Sequence, residues 1–112
     1  MSRDWRLYWE DLVIGCEKIL RYTEGMDSEG FRQDQKTYDA VLRNLEIIGE
    51  AAKNLPGAVK SQLPEVEWRE IAALRDVIAH GHFGNDDEII WDIVGVPGAL
   101  AALDSSRLDE RL

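Results

Sequence analysis

Apolar residues recur at intervals of three and four along most of this sequence, which is the period of an amphipathic α-helix. The alternation of apolar and polar residues that marks a half-buried strand is nearly absent. The pattern predicts four main helices and one short helical turn. The predicted ranges are about Asp4 to Thr23, Asp34 to Asn54, Ala58 to Leu63 for the short turn, Trp68 to Ala79, and a last helix that opens within Asn85 to Trp91.

Each predicted helix has an apolar stripe that is expected to face a common core. The stripe of the first helix consists of Trp5, Trp9, Leu12, Cys16 and Ile19, widened by Leu20. The stripe of the second consists of Val41, Leu45, Ile48, Ala52 and Leu55. The stripe of the third consists of Trp68, Ile71, Leu74 and Ile78.

Glycine and proline mark the ends of these helices. Gly25 and its polar neighbours end the first helix, and Pro56 ends the second because proline cannot continue the hydrogen-bond ladder. Pro97 is expected to interrupt the last helix. The links are short, so the expected fold is all-α, a mostly antiparallel helical bundle. A chain of 112 residues fits a single domain, residues 1–112, with a polar tail from about residue 104.

The composition narrows the classes of protein that this chain can belong to. Thirteen Lys and Arg against 22 Asp and Glu give a net charge of -9, which argues against broad, non-specific adhesion to nucleic acid but leaves room for a local basic cleft. The single cysteine, Cys16, cannot form an intrachain disulfide. No signal-peptide pattern opens the sequence, and no apolar run reaches the ~20 residues of a membrane span. We therefore expect a cytoplasmic protein without a membrane segment.

The segment "LRDVIAHGHFG" gathers most of the chemistry that the sequence offers. Asp76 and His80 are four residues apart, so on a continuing helix they share a face, and the carboxylate can hold one tautomer of the imidazole. Arg75 lies roughly 140° around the helix from His80, but its side chain is long enough to border the same groove. A base near neutral pH beside a permanent cation suits the cleavage of an RNA phosphodiester without a metal.

Other interpretations of the same residues stay open at this level. A helix C-terminus attracts histidine because the positive ring complements the helix dipole, and an Arg-Asp neighbour pair is commonly a surface ion pair. His80 and His82 would point apart on a helix, so we expect no metal site there. Cys16 lies on an apolar stripe, where a buried thiol is an inert small hydrophobe rather than a nucleophile.

Two longer segments resemble a known family. "VLRNLEIIGEAAKNLP" and "WREIAALRDVIAHGHFG" are similar to the HepT-like branch of the HEPN superfamily, whose signature is Arg-x4-6-His. Here Arg75, Asp76 and His80 match that signature. The similarity extends from about Asp4 to beyond Trp91, nearly the whole chain.

The resemblance implies a helical-bundle endoribonuclease that needs no metal or other cofactor and acts as the toxin of a bacterial toxin-antitoxin pair. Its expected partners are an RNA substrate, a nucleotidyltransferase-like antitoxin and a second copy of the chain, with the two motifs lining one cleft. By the same resemblance Arg75 would contact the scissile phosphate, His80 would be the acid or base, and Asp76 would orient the histidine. The expected product is a 2′,3′-cyclic phosphate end.

The sequence departs from the family pattern at two positions. Relatives commonly carry asparagine after the arginine, whereas Asp76 adds a negative charge that is expected to attenuate cleavage or raise the pKa of the histidine. The extended family motif continues His-x-Tyr, and that tyrosine receives AMP from the antitoxin. Here His82 stands in its place and Phe83 follows, so neutralisation would need another residue or simple steric binding.

The second predicted helix supplies further charges near this site. Arg43 and Glu50 are seven residues apart and share a helix face, which favours a position at the edge of a cleft with the third helix. Glu46 is expected to be an exposed polar residue. The alternative function is a non-catalytic HEPN module that binds nucleotide, RNA or a protein partner.

Overall fold

The computed structural model describes residues 4–79 and 90–95, without the side chains of residues 76–79. These ranges contain five α-helices and no strand, and residues 90–95 are also helical. The helices are α1 (Trp5–Tyr22), α2 (Ser28–Gln33), α3 (Gln35–Asn54), α4 (Gly57–Lys60) and α5 (Trp68–Ala79). The predicted all-α class is therefore confirmed. None of the helices in the described part of the chain has the length and apolar character to span a bilayer.

The central element of the bundle is α3, which packs against α1 and against α5. The core lies along these two contacts and extends under the shorter helices. Its buried apolar residues come from every described helix and from residues 90–95: Trp9, Leu12, Cys16, Ile19, Phe31, Val41, Leu45, Ile48, Ala51, Ala52, Leu55, Val59, Leu63, Ile71, Ile90 and Val94. Because α3 is in contact on two sides, its sequence has to supply both a core face and the surface that meets α5.

The bounds of α1, α3 and α5 agree with the sequence pattern, and aspartate caps define the starts of α1 and α3. Asp4 caps α1, where its Oδ1 accepts a hydrogen bond from the backbone N–H of Arg6 at 3.0 Å. Asp34 caps α3, where it accepts bonds from the backbone N–H of Thr37 at 3.1 Å and from its hydroxyl at 2.9 Å. These bonds, the backbone bond first, lower the pKa of Asp34. Both carboxylates satisfy amides that a helix N-terminus leaves without partners.

The helix α2 is a feature that the periodicity did not predict. A six-residue helix is too short to display a 3.6-residue repeat, and the polar residues beside Gly25 indicate only the end of the first helix. The local signals are Asp27, whose Oδ1 accepts from the N–H of Gly30 at 2.8 Å, and Phe31, which is fully buried. The Phe31 ring lies 5.3 Å from the ring of Tyr38 and 5.2 Å from that of Trp91. This aromatic contact ties residues 90–95 to the start of α3.

Leu20 does not widen the core stripe of α1. Its side chain is 39% exposed, whereas the neighbouring Ile19 is completely buried. One residue turns the helix by about 100°, which carries Leu20 past the edge of the contact with α3. The remaining stripe residues of α1 are buried or packed against the core as predicted. The opening of the last predicted helix and the interruption at Pro97 lie outside the described residues.

Cys16 gives a prediction for the stability of the fold at high pH. Burial, with a smaller contribution from Glu17, raises the pKa of the thiol from 9.0 to about 12. Because the folded pKa is the higher one, the unfolded chain loses this proton first as the pH rises, and the unfolding free energy falls between pH 9 and 12 at up to about 1.4 kcal/mol per pH unit. Denaturant titrations over this range should give a steeper fall for the wild type than for Cys16→Ala. If the unfolding free energies of the two proteins fell in parallel with pH, the predicted contribution of the Cys16 thiol would be refuted.

Candidate active site

Three of the predicted site residues have described side chains, and four do not. Arg43, Glu50 and Arg75 lie on α3 and α5. Asp76 is helical, but its side chain is not described, and His80, His82 and Phe83 lie outside the described residues. The structure therefore locates the arginine half of the predicted motif, and the positions of the histidines stay a prediction.

The approach of α5 to α3 is controlled by Gly49. A Cβ at this position would lie 2.7 Å from the backbone nitrogen of Arg75 and 3.1 Å from the carbonyl oxygen of Ile71. Real Cβ atoms essentially never come within 3.0 Å of other atoms, so only glycine permits this separation of the two backbones. Gly49 thus lets α5 lie against α3 at the turn that carries Arg75.

Glu50 follows Gly49 and forms an ion pair with Arg75 across the same helix contact. The distance from Arg75 Nε to Glu50 Oε2 is 2.6 Å, and the two side chains are 41% and 47% exposed. Oε2 itself is shielded from solvent, and the contact has the geometry of an ion pair rather than of an aligned hydrogen bond. The second carboxylate oxygen, Oε1, accepts from Nδ2 of Asn54 at 3.2 Å, and the same nitrogen donates to the Glu50 carbonyl at 2.8 Å. Glu50 is thus held from within α3 while it contacts α5.

A groove of about 280 Å³ opens beside this ion pair. It is formed by α1, α3 and α5. Its lining residues are Tyr8, Asp11, Arg43, Glu46, Ile47, Glu50, Ala51 and Arg75. The structure therefore brings the three described site residues to one surface.

Part of this groove was not predicted from the sequence. Tyr8 and Asp11 were not among the predicted site residues, and Glu46 was expected to be an exposed polar residue. Glu46 instead lines the groove and pairs with Arg43, with 3.4 Å between Oε2 and Nη1. The available signal for Tyr8 and Asp11 was their spacing of three, which places both on one side of the buried α1 stripe.

The charges of the groove are closely balanced. Asp11, Glu46 and Glu50 carry three negative charges and Arg43 and Arg75 two positive ones, a formal sum of -1. Each arginine lies beside a glutamate of α3, but the two pairs differ. The pair of Arg43 joins residues within one helix, and the Arg43 side chain is 68% exposed, so it contributes little to stability. The pair of Arg75 joins two helices.

A metal site is not formed by these carboxylates. No group of three His, Cys, Asp or Glu that could hold a metal ion occurs among the residues that the structure describes. Since both histidines lie outside that part of the chain, the expected independence from metal stays a prediction.

The chain belongs to the HepT-like ribonuclease family. The model of this family, described as ribonuclease HepT-like, matches residues 14–99, which include the second half of α1, all of α2 to α5, and the Arg75 to His80 segment. The family match and the all-α fold agree with the HEPN-like helical bundle that the sequence resemblance implies.

Similar proteins come from archaea and bacteria. A "putative RNase" of Methanocaldococcus jannaschii is 44% identical over 93 residues, which cover 83% of this chain and 77% of the relative. A "probable ribonuclease HepT" of Thermococcus cleftensis is 44% identical over 94 residues, with 84% and 86% covered. A "putative RNase" of Caldanaerobacter subterraneus subsp. tengcongensis is 39% identical over 89 residues, 80% of each chain. No solved structure matches the chain significantly. At the level of the family, the relatives support a ribonuclease.

Proposed function

We propose that this protein is a metal-independent endoribonuclease in which Arg75 and His80 form the active site. The observation that carries the proposal is the position of Arg75 in a HepT-like ribonuclease: its side chain lines a groove of about 280 Å³ and is held there by Glu50. A guanidinium matches the geometry of phosphate and never deprotonates in a protein, so it suits contact with an RNA backbone.

The proposed reaction is an internal transesterification. The 2′ oxygen of a ribose attacks the adjacent phosphorus, the bond from phosphorus to the 5′ oxygen breaks, and a 2′,3′-cyclic phosphate remains. His80 takes the proton of the 2′ hydroxyl or supplies one to the departing 5′ oxygen. Arg75 stabilises the charge that builds on the phosphate oxygens. The helix α5 continues to Ala79, and Asp76 lies on it four residues before His80, the spacing at which a carboxylate can orient an imidazole.

Purified protein should cut single-stranded RNA in the presence of EDTA, and His80→Ala should not. The imidazole contributes proton transfer, which is typically worth about 10² to 10⁴ in rate. Cleavage is followed on a labelled oligonucleotide, and the cyclic phosphate is identified by mass spectrometry. Equal cleavage by the variant would refute the assignment of His80. Saturable RNA binding without new product ends would instead favour the non-catalytic HEPN module.

The proposed biological setting is a toxin-antitoxin pair. We propose that the single domain of residues 1–112 acts in the cytoplasm on RNA and is neutralised by a nucleotidyltransferase-like antitoxin encoded beside it. His82 carries no hydroxyl that could accept AMP by the route that uses the family tyrosine, so the proposed neutralisation is steric or uses another residue. Growth and RNA integrity after inducible expression of the wild type and His80→Ala test this setting.

The active form is proposed to be a homodimer with both motifs in one cleft. Leu7 and Ile14 support an interface on α1: they are seven residues apart, share a helix face, and are 43% and 40% exposed. Burial of exposed apolar side chains against a second copy is favourable. The solution mass at micromolar concentration should be twice the chain mass of 12.7 kDa.

A double variant with glutamate at positions 7 and 14 should shift that mass towards one chain. Leu20→Glu is the matched control, because Leu20 is similarly exposed but lies about 120° around the helix from Ile14. A wild type with the mass of one chain would contradict the dimer. A double variant that keeps the wild-type mass would place the interface elsewhere than on this face of α1.

A further inference from the structure

Arg75 is held by a carboxylate that belongs to a different helix. An arginine side chain on a protein surface samples many rotamers. Restricting it to one rotamer costs conformational entropy, which weakens any contact that needs a defined geometry. Here Glu50 Oε2 lies 2.6 Å from Arg75 Nε, the atom nearest the aliphatic part of the side chain. Because Nε belongs to the planar guanidinium, a carboxylate held beside it restricts the positions that the two terminal nitrogens can take.

Two other residues of α3, Asn54 and Gly49, help to keep the Glu50 carboxylate beside Arg75. Asn54, one turn later on α3, donates to Glu50 Oε1 at 3.2 Å and to the Glu50 carbonyl at 2.8 Å. Gly49 brings the α5 backbone so close that the carboxylate of the next residue reaches Arg75. The shielding of Oε2 from water strengthens its interaction with the guanidinium relative to a fully solvated pair.

We propose that Glu50 is a positioning residue, which orients the Arg75 guanidinium towards the RNA phosphate and is braced by Asn54. The proposal rests on the proposed function of Arg75. It assigns Glu50 a role in the rate of the chemical step rather than in RNA affinity, because a carboxylate next to the phosphate site repels RNA while it orders the arginine. Loss of the carboxylate should therefore lower kcat and leave KM unchanged or smaller.

Glu46 offers a matched control on the same helix and in the same groove. It also pairs with an arginine, but at 3.4 Å and within α3, so its removal changes the charge of the groove by the same amount without releasing Arg75. A purely electrostatic effect of groove charge would appear equally in Glu46→Ala and Glu50→Ala. An orienting effect would appear only in Glu50→Ala.

The catalytic test compares kcat and KM for four variants of the full chain. Glu50→Ala should lower kcat about tenfold to a hundredfold, the scale on which a misplaced catalytic group costs rate. Glu50→Gln keeps a side-chain oxygen of the same reach but loses the negative charge of the ion pair, so its kcat should fall, though less than that of Glu50→Ala. Asn54→Ala, which retains Glu50 but removes its brace, should lower kcat about threefold. Glu46→Ala changes the charge of the groove to the same extent, so any effect of charge should appear in its KM, and its kcat should fall less than that of Glu50→Ala.

A structural test does not depend on cleavage. In a ¹H–¹⁵N correlation spectrum, the Nε–H resonance of Arg75, assigned by its absence from Arg75→Lys, should exchange more slowly in the wild type than in Glu50→Ala, because the Glu50 carboxylate lies beside Nε and restricts its access to water. It should broaden or vanish in Glu50→Ala. An unchanged resonance in Glu50→Ala would overturn the proposal even in a preparation without RNase activity.

The outcomes separate this proposal from the proposed function. Wild-type cleavage that Arg75→Ala leaves intact would refute the role of Arg75 itself. Cleavage that needs Arg75 but keeps its kcat in Glu50→Ala, or rises there together with RNA affinity, would refute only the positioning role. If Glu50→Ala does not fold, Asn54→Ala decides, and a wild-type kcat with an unchanged Nε–H resonance in that variant would overturn the proposal.

Discussion

Replacement of Arg75 by alanine is expected to lower RNA cleavage by about a hundredfold to a thousandfold, the usual effect of removing one preorganised donor that stabilises developing charge. The loss should appear mainly in kcat, because the guanidinium interacts most strongly with the phosphate oxygens as their charge grows in the transition state. Single-turnover cleavage of a labelled RNA at saturating enzyme measures this step directly. Thermal unfolding should change little, since Arg75 is two-fifths exposed and its ion pair is only partly buried.

Arg43→Ala is the matched control for this prediction. Arg43 lines the same groove, carries the same charge and also pairs with a glutamate, but it is 68% exposed and its pair lies within α3. We expect Arg43→Ala to weaken RNA binding at most. The loss of affinity should vary with the salt concentration more than with the RNA sequence. A loss of cleavage as large in Arg43→Ala as in Arg75→Ala would mean that the groove acts through its total charge. No loss in Arg75→Ala would refute its catalytic role.

The long helices were predictable because their signals are local. The apolar stripe of the second predicted helix, Val41 to Leu55, repeats over about four turns, and Asp34 caps the start of α3 while Pro56 follows its end. The same reasoning missed α2, where six residues show no period and the fold depends on the burial of Phe31 against Tyr38 and Trp91, which are distant from one another along the chain. A contact between residues that are distant along the chain leaves no pattern within a short stretch of sequence.

The groove was only partly predictable for a similar physical reason. A helical repeat indicates that Arg43 and Glu50 share a face, but it does not give the distance between α3 and α5. That distance depends on the missing side chain of Gly49, and a glycine within a helical pattern does not indicate which helix approaches it. Tyr8 and Asp11 enter the groove because α1 also packs against α3. The arginine of the motif was identified from the resemblance, whereas its partner Glu50 needed the three-dimensional contact to be recognised.

Gly49→Ala is expected to lower both the stability of the protein and the rate of cleavage. The added Cβ would come within 2.7 Å of Arg75 N and 3.1 Å of Ile71 O, and backbone atoms cannot rotate away as a side chain can. The helix α5 must therefore move outwards, at the cost of about 1–3 kcal/mol that overpacking of a tight contact usually carries. The same movement separates Arg75 from Glu50 and displaces the guanidinium from its place in the groove. Denaturant unfolding and single-turnover cleavage measure the two effects.

Two other glycines distinguish this steric effect from the general effect of a glycine to alanine change. Gly57 at the start of α4 has no atom within 4 Å of an added Cβ, so Gly57→Ala should be neutral or slightly stabilising through the entropy of the unfolded chain. Gly15 on α1 would meet the Ile48 side chain at 2.9 Å, so Gly15→Ala should cost stability as Ile48 shifts while the geometry of Arg75 is preserved. Of these three variants, only Gly49→Ala should combine lost stability with a fall in kcat, because only there does the new methyl group press on the backbone of Arg75, the proposed catalytic arginine. Wild-type stability and kcat in Gly49→Ala would show that α5 does not need this close approach.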